Sequence, residues 1–348
     1  MTIMRRCLIV GPSWVGDMIM AQCLFQAIKA HEPDLAIDVL APAWSAGILG
    51  RMPEIDGVIP SPFAHGEFDL AGRRRLAHEL RATGYEQAIV LPNSWKSALV
   101  PFLANIPRRT GYVGEFRYGL LNDLRKLEKS VLPRLADRYR ALADGVDRQS
   151  TQPRLMVDAD AQQASLDRLG LNLDRPVLAL CPGAEFGASK RWPAAHYAQV
   201  AQHYLRHDWD VWLFGSTRDQ EVTATINTRL DNRARDLAGR TTLEEVVDLL
   251  ACASAVVSND SGLMHLAAAI NVPLVAVYGS SDPDYTPPLS TKARVLRLEL
   301  ACSPCFKREC PLHHLDCLNQ LGPETVLAAL PCASSGQPGA ISVAAVKS

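Results

Sequence analysis

Several signatures are missing from this chain, and each absence removes a class of function. No run approaches the ~18–20 apolar residues needed to cross a bilayer as a helix. The apolar stretch Cys7-Leu8-Ile9-Val10 follows two arginines but ends at Gly11-Pro12. Four residues are too few for the apolar centre of a signal peptide. The first glycine-containing loop, Gly11-Pro12-Ser13-Trp14-Val15-Gly16-Asp17, lacks the Gly-x-Gly-x-x-Gly dinucleotide fingerprint, which disfavours hydride transfer with a nicotinamide cofactor. No Gly-Lys-Ser or Gly-Lys-Thr of the Walker type occurs, which disfavours that class of kinase and ATPase. Net charge is also lacking. Thirty-six Lys and Arg stand against 37 Asp and Glu, a formal −1 over 348 residues, so bulk attraction to nucleic acid is not expected.

What is present is an ordinary soluble composition, 48% apolar and 21% charged, on a chain long enough for two domains. Apolar segments alternate with helical ones. Strands are expected at Cys7–Val10, Ala36–Leu40 and Gln87–Leu91, then again at Pro176–Cys181, Asp210–Phe214, Ala255–Val257 and Pro273–Gly279. Helices are expected from about Gly16 to His31, after Pro92-Asn93-Ser94, from Ala194 to Arg206, and from Leu243 to Ala251. Residues 120–170 read as charged helix, broken at 149–153. The alternation predicts an α/β fold with parallel sheets covered on both faces. The domains are expected at 1–170 and 171–332, with a disordered tail over 333–348. Ligands in such folds bind at the carboxyl ends of strands. With two similar halves, the expected site is a cleft between them.

Three loops fall at such ends: 11–17, 182–190 and 258–265. The third is the most informative. Ser258-Asn259-Asp260-Ser261-Gly262-Leu263-Met264-His265 joins a buried strand to a helix. The first N–H groups of a helix are unpaired and partly positive, and they attract phosphate. Gly262 permits close approach, and His265 lies one turn beyond Ser261. Asp and Ser before a helix also serve as simple caps. The second loop supplies Lys190, suited to the charge of a departing diphosphate, and Glu185, which could meet a sugar hydroxyl. The first loop supplies Gly16 and Asp17. A carboxylate there is either a cap or a general base toward an acceptor hydroxyl. Together the loops suit transfer of a group from a nucleotide diphosphate to a hydroxyl.

Two clusters stand apart. Residues 71–140 hold 14 Lys or Arg against 6 Asp or Glu, a local excess of 8 positive charges. Arg73, Arg74, Arg75, Lys96, Arg108, Arg109 and Arg117 are the candidates there for an anionic acceptor or membrane surface. Cys302, Cys305, Cys310 and Cys317 form Cys-x2-Cys-x4-Cys-x6-Cys. In a reducing compartment such a run suits either a structural zinc or free thiols. Cys7, Cys23, Cys181 and Cys252 read as core thiols.

The segments GPSWVGDMIM (11–20), PNSWKSALVPF (92–102), RTGYVGEFRYGLLND (109–123), CPGAEFGASKRWP (181–193) and SNDSGLMHLAAA (258–269) carry a family resemblance. So do VPLVAVYG (272–279) and TPPLS (286–290). The chain resembles the bacterial ADP-heptose:lipopolysaccharide heptosyltransferases of glycosyltransferase family nine, and within it the heptosyltransferase II branch. That resemblance implies a GT-B fold, two Rossmann-like domains facing a central cleft, with a C-terminal segment crossing back. It implies inverting transfer of L-glycero-D-manno-heptose from ADP-heptose to the first heptose of a lipid-linked inner core. It places the catalytic carboxylate at Asp17 and the phosphate-contacting lysine at Lys190. The donor motif falls at Asp260, Ser261, Gly262 and His265, and a ribose-binding acid at either Asp219 or Glu221. No cofactor is implied, and the expected location is cytoplasmic, peripheral to the inner membrane. Competing readings are heptosyltransferase I acting on Kdo-lipid A, a GT-B nucleotide-sugar epimerase, and a non-enzymatic nucleotide-sugar-binding regulator.

Overall fold

The computed structural model describes residues 5–63, 67–145 and 151–333. The chain divides into two compact units. The first comprises residues up to Met156 together with Pro283–Leu289; the second comprises Val157–Asp282 and the chain from Ser290.

The first unit is built on six parallel strands: β1 (Arg6–Val10), β2 (Ala36–Pro42), β3 (Gly57–Ser61), β4 (Gln87–Val90), β5 (Arg108–Tyr112) and β6 (Asp123–Arg125). Their order is β3-β2-β1-β4-β5-β6. The second unit has β7 (Val177–Cys181), β8 (Asp210–Leu213), β9 (Arg235–Asp236), β10 (Ala255–Asn259), β11 (Leu274–Val277) and β12 (Ala293–Leu296). Their order is β12-β11-β10-β7-β8-β9. Counted from its own first strand, each sheet has the doubly wound order 3-2-1-4-5-6.

The central strands are mostly apolar because helices cover both faces. Every residue of β7 and β10 is buried. Chain reversal at the switch points, β1 beside β4 and β7 beside β10, opens the crevices where the first and third loops begin. All pairings are parallel, so the loops that leave the strands share one edge of each sheet. Around the second sheet, Leu178, Leu180, Tyr197, Val211, Val257 and Leu318 form one buried cluster. Leu8, Val10, Leu76, Ala88 and Val90 belong to the corresponding cluster of the first unit.

Helix Val15–His31 is buried along most of its length. Its fully buried Gln22 donates to the Arg154 carbonyl at 2.6 Å and accepts from the Arg154 N–H at 2.8 Å. That exchange ties the end of the first unit to the helix. The unit boundary therefore lies at 156/157, whereas the sequence pattern placed it near 170. The reason is Helix Ala159–Leu169, which is capped by Asp158 and bonded through Gln162 to the Asp248 carbonyl at 2.6 Å. It packs with the second unit and ends at Gly170, in the left-handed conformation that closes helices.

The described residues between 120 and 158 do not form the expected continuous charged helix. They contain strand β6 and the short helix Leu135–Arg140. Short edge strands such as β6 and the two-residue β9 carry too little periodicity to be read from sequence. Ala333 is buried and accepts from Trp209 Nε1 at 3.1 Å, so the ordered chain extends to it. Residues 149 and 150 of the expected break, and the tail from 334, lie outside the described residues.

Candidate active site

Asp260 and Ser261 lie just before helix Gly262–Ala269, where the sequence allowed two roles. The structure distinguishes them. Ser261 holds the N-cap position in an extended conformation, yet its side chain makes no cap hydrogen bond. Its hydroxyl lies 3.3 Å from that of Ser258. Asp260 is nearly fully buried and accepts from Lys190 Nζ at 2.5 Å. The start of the helix therefore lacks a side-chain cap at its N-cap position, and an uncapped helix start suits an anion.

Lys190 ends a single 3₁₀ turn, Ala188–Lys190, in the loop after β7. Its ammonium is also 5.0 Å from the Phe186 ring centroid, a cation–π distance. The loop is held from both sides. Asn259, fully buried, donates to the Pro182 carbonyl at 2.5 Å; its Oδ1 accepts from Trp192 N at 2.9 Å and from the Tyr197 hydroxyl at 3.0 Å. From the other side, the Ser189 hydroxyl meets that of Ser280 at 2.9 Å and donates to the Lys307 carbonyl. Gly187 has φ +152°, and a Cβ there would lie 2.4 Å from the Arg308 carbonyl oxygen. Only glycine fits that approach. Sequence reasoning missed Asn259 as a positioning residue. The signal was a buried amide closing an otherwise apolar strand.

His265 is buried at the same helix start. Burial, with Lys190 adding to it against the opposing charge of Asp260, pushes the imidazole down to about 4. It is neutral at pH 7 and can donate or accept a hydrogen bond without adding charge.

Two expected ligands stand elsewhere. Glu185 is exposed and paired with Arg218. Of the two acids weighed for a ribose, Glu221 is exposed on the first turn of helix Gln220–Thr228. Asp219 lies against Gly183 and Gly215, where a Cβ on either would collide with it. Its carboxylate caps its own turn through the Ser216 N–H at 2.9 Å and hydroxyl at 2.8 Å. Proximity to the loop after β7 favours Asp219 over Glu221.

In the first unit, Asp17 occupies the first turn of helix Val15–His31, after β1. It is half-buried. Burial raises the pKa values of the Tyr139 and Tyr285 phenols, and in both the Asp17 carboxylate adds to the rise. Tyr285 reaches this site because Pro283–Leu289 belongs to the first unit; its carbonyl accepts from Leu135 N at 2.9 Å. Gly16 is buried beside Asp17. Gly11 is the tight point of the loop: a Cβ there would meet the Met18 side chain at 2.8 Å.

The basic cluster separates into two groups, and four of its members bond to other parts of the protein. Arg117 is fully buried, and its guanidinium donates to the carbonyls of Pro92 (2.6 Å) and Tyr112. Arg73 is buried over the Phe63 ring at 4.1 Å and bonds the carbonyls of Glu67 and Lys96. Arg109 donates to the carbonyls of Ile106 (2.6 Å) and Leu120 (2.7 Å). Arg108 pairs with Asp123 and Asp144. These arginines hold loops in place, a role that charge counting cannot detect. Arg74 and Arg75 are exposed on helix Leu70–Arg81, and Lys96 is half-exposed.

Cys302, Cys305, Cys310 and Cys317 line one small cavity with Ser189, Ser280 and His314. They form no disulfide. Among the described residues, no group of three or more His, Cys, Asp or Glu side chains is placed to hold a metal ion. The segment braces the Lys190 loop, through Lys307 and through Phe306 N, which donates to the Ser280 carbonyl at 2.7 Å.

Comparisons with known proteins identify the family. The family model for glycosyltransferase family 9 (heptosyltransferase) matches residues 73–316. The lipopolysaccharide heptosyltransferase 2 of Salmonella typhimurium is 47% identical over 338 residues, covering 93% of this chain and 97% of that protein. The lipooligosaccharide heptosyltransferase 2 of Haemophilus influenzae is 47% identical over 306 residues, covering 84% and 88%. The solved structure of Escherichia coli ADP-heptose LPS heptosyltransferase II superposes with a TM-score of 0.83 at 44% identity, covering 93% of this chain and 97% of that one. With two doubly wound sheets and a lysine-backed helix start at the end of β10, the chain belongs to glycosyltransferase family 9, the heptosyltransferases.

Proposed function

We propose that this enzyme transfers L-glycero-D-manno-heptose from ADP-heptose to the first heptose of a lipid-linked lipopolysaccharide inner core, with inversion. One observation carries the reading. The start of helix Gly262–Ala269 is left without a side-chain cap while Lys190 is held beside it by buried Asp260. A nucleoside diphosphate supplies the charge that this arrangement lacks. The acceptor hydroxyl attacks the anomeric carbon, and the bond from that carbon to the diphosphate oxygen breaks. The hydroxyl proton passes to the Asp17 carboxylate, acting as general base. The charge left on ADP is met by Lys190 and the helix N–H groups. Neutral His265 contributes a hydrogen bond without competing charge. A single displacement inverts the anomeric centre and requires no covalent intermediate.

The relatives named heptosyltransferase 2 support this acceptor over one ending in Kdo. The acceptor carries a lipid, so the enzyme works at a membrane surface; none of the helices among the described residues is long and apolar enough to cross one. The test is ADP release from ADP-heptose in the presence of defined truncated cores. Release is expected with a core ending in one heptose and not with one ending in Kdo. The opposite preference assigns the first transfer instead. Turnover of the donor without any acceptor makes the enzyme an epimerase, and binding without turnover makes it a regulator.

A further inference from the structure

The loop after β5 presents aromatic side chains that the reaction described above does not use. Phe116 is 92% exposed and Tyr118 is 66% exposed, while Arg117 between them is fully buried. The exposure is enforced. Arg117 anchors the loop from beneath through the Pro92 and Tyr112 carbonyls, and Glu115 accepts from Trp95 N at 3.3 Å. Glu115 and Phe116 both have positive φ, +23° and +53°. A bulky residue rarely adopts that backbone. The chain therefore holds a large apolar ring in water on a pinned and strained loop, which is unfavourable for an isolated soluble domain.

Cations lie alongside. Tyr112 pairs with Arg125 in the β5–β6 register, and Val113 N donates to the Arg125 carbonyl at 2.9 Å. Lys126 therefore emerges next to the start of the aromatic loop. Lys126, Lys129 and Arg134 are exposed, and among the described residues their side chains make no ion pair or hydrogen bond. Exposed Val131 lies between the last two. Residues 113–134 carry five Lys or Arg against three Asp or Glu, a local excess of two. Aromatic rings beside unpaired cations are the chemistry of a bilayer interface, where rings sit at headgroup depth and cations meet anionic lipid.

We infer that Phe116, Tyr118 and Val131 together with Lys126, Lys129 and Arg134 form the surface by which the first unit docks on a bilayer containing anionic lipid. The inference rests on the reading that the acceptor is lipid-linked. Docking would hold the enzyme where that acceptor is concentrated.

The test is sedimentation of the full chain with vesicles of phosphatidylcholine alone or with phosphatidylglycerol added, in the absence of acceptor. The wild type is expected to bind the anionic vesicles. Combined Lys126→Gln, Lys129→Gln and Arg134→Gln is expected to lower that binding about a hundredfold, each cation giving about a factor of five. Phe116→Asn with Tyr118→Ser is expected to lower binding to both vesicle types by about tenfold; asparagine tolerates the left-handed backbone, so the fold is kept. Both variants should transfer heptose to a soluble, delipidated acceptor at the wild-type rate. Wild-type protein that ignores anionic vesicles, or variants that bind as it does, would overturn the inference. So would an aromatic variant equally slow on delipidated and lipid-linked acceptor, since the surface would then grip the sugar. Vesicle binding is read without turnover, so failure of the proposed reaction would leave this result interpretable.

Discussion

The two six-stranded sheets share one strand order and differ in what their carboxyl edges carry. At the end of β10 in the second unit the polar groups are buried and bonded to one another: Asn259, Asp260 and His265 are all at least 95% removed from solvent. Around the first sheet the loops that leave the strands expose rings. Trp14 follows β1, Trp44 follows β2, Trp95 follows β4 and Phe116 follows β5, each more than a third exposed. The same topology carries a buried, internally bonded polar cluster in one unit and an exposed aromatic rim in the other. Sheet order places loops; the side chains on those loops decide what is bound.

The comparison can be tested most sharply at Asp17, the proposed base on the aromatic side. Asp17→Asn is expected to lower kcat by about 10²–10⁴-fold with donor affinity unchanged, measured as ADP release alongside donor titration. A variant that loses donor binding instead would move the base function off the first unit. On the other side, Lys190→Met is expected to cost about 10²–10³-fold in kcat and to weaken binding of ADP itself. An effect confined to the lipid acceptor would contradict the division of labour.

Two smaller effects probe burial. His265 has its pKa pushed from 6.5 down to about 4, chiefly by burial. The unfolded chain takes up a proton between those values that the folded second unit refuses. Stability is therefore full above about pH 6.5 and falls as the pH drops toward 4, by up to about 3 kcal/mol. Denaturant unfolding at stepped pH should show this slope in the wild type and a flatter one in His265→Asn. Within the basic segment, Arg117→Leu is expected to destabilise by about 2–3 kcal/mol, because buried carbonyls of Pro92 and Tyr112 lose their donor. Arg74→Ala, on an exposed helix face, is expected to change stability by less than about 0.5 kcal/mol. Equal effects at the two positions would mean that burial does not separate these arginines.

Much of the second unit's site was legible in the sequence. Ser261, Gly262 and His265 follow an apolar strand at the spacing of one helical turn, and the structure puts them at one helix start. Lys190 was a weaker reading, since a lone loop lysine is usually solvated; its pairing with Asp260 spans 70 residues and has no local signature. The pairing of Glu185 with Arg218 had no local signature either, because Arg218 arrives from the loop after β8. Within the basic segment, counting charge cannot tell Arg117 from Arg74. One is folded inward onto carbonyls and the other faces water. Of the charged helix expected over 120–170, Leu135–Arg140 and Ala159–Leu169 are helical, and strand β6 was missed because it is an edge strand of three residues.

By itself, the sequence determined the alternation of apolar strands and helices, hence two parallel sheets, and the three glycine-containing turns at their carboxyl ends. These are local properties: hydrophobic period, turn chemistry and the unpaired N–H groups of a helix start depend only on neighbours along the chain. Only the tertiary structure decided which charges are used internally and which remain for a ligand. That choice depends on partners brought from distant segments, such as Asp260 to Lys190 and Pro92 to Arg117, and a buried charge persists only where the fold supplies those partners.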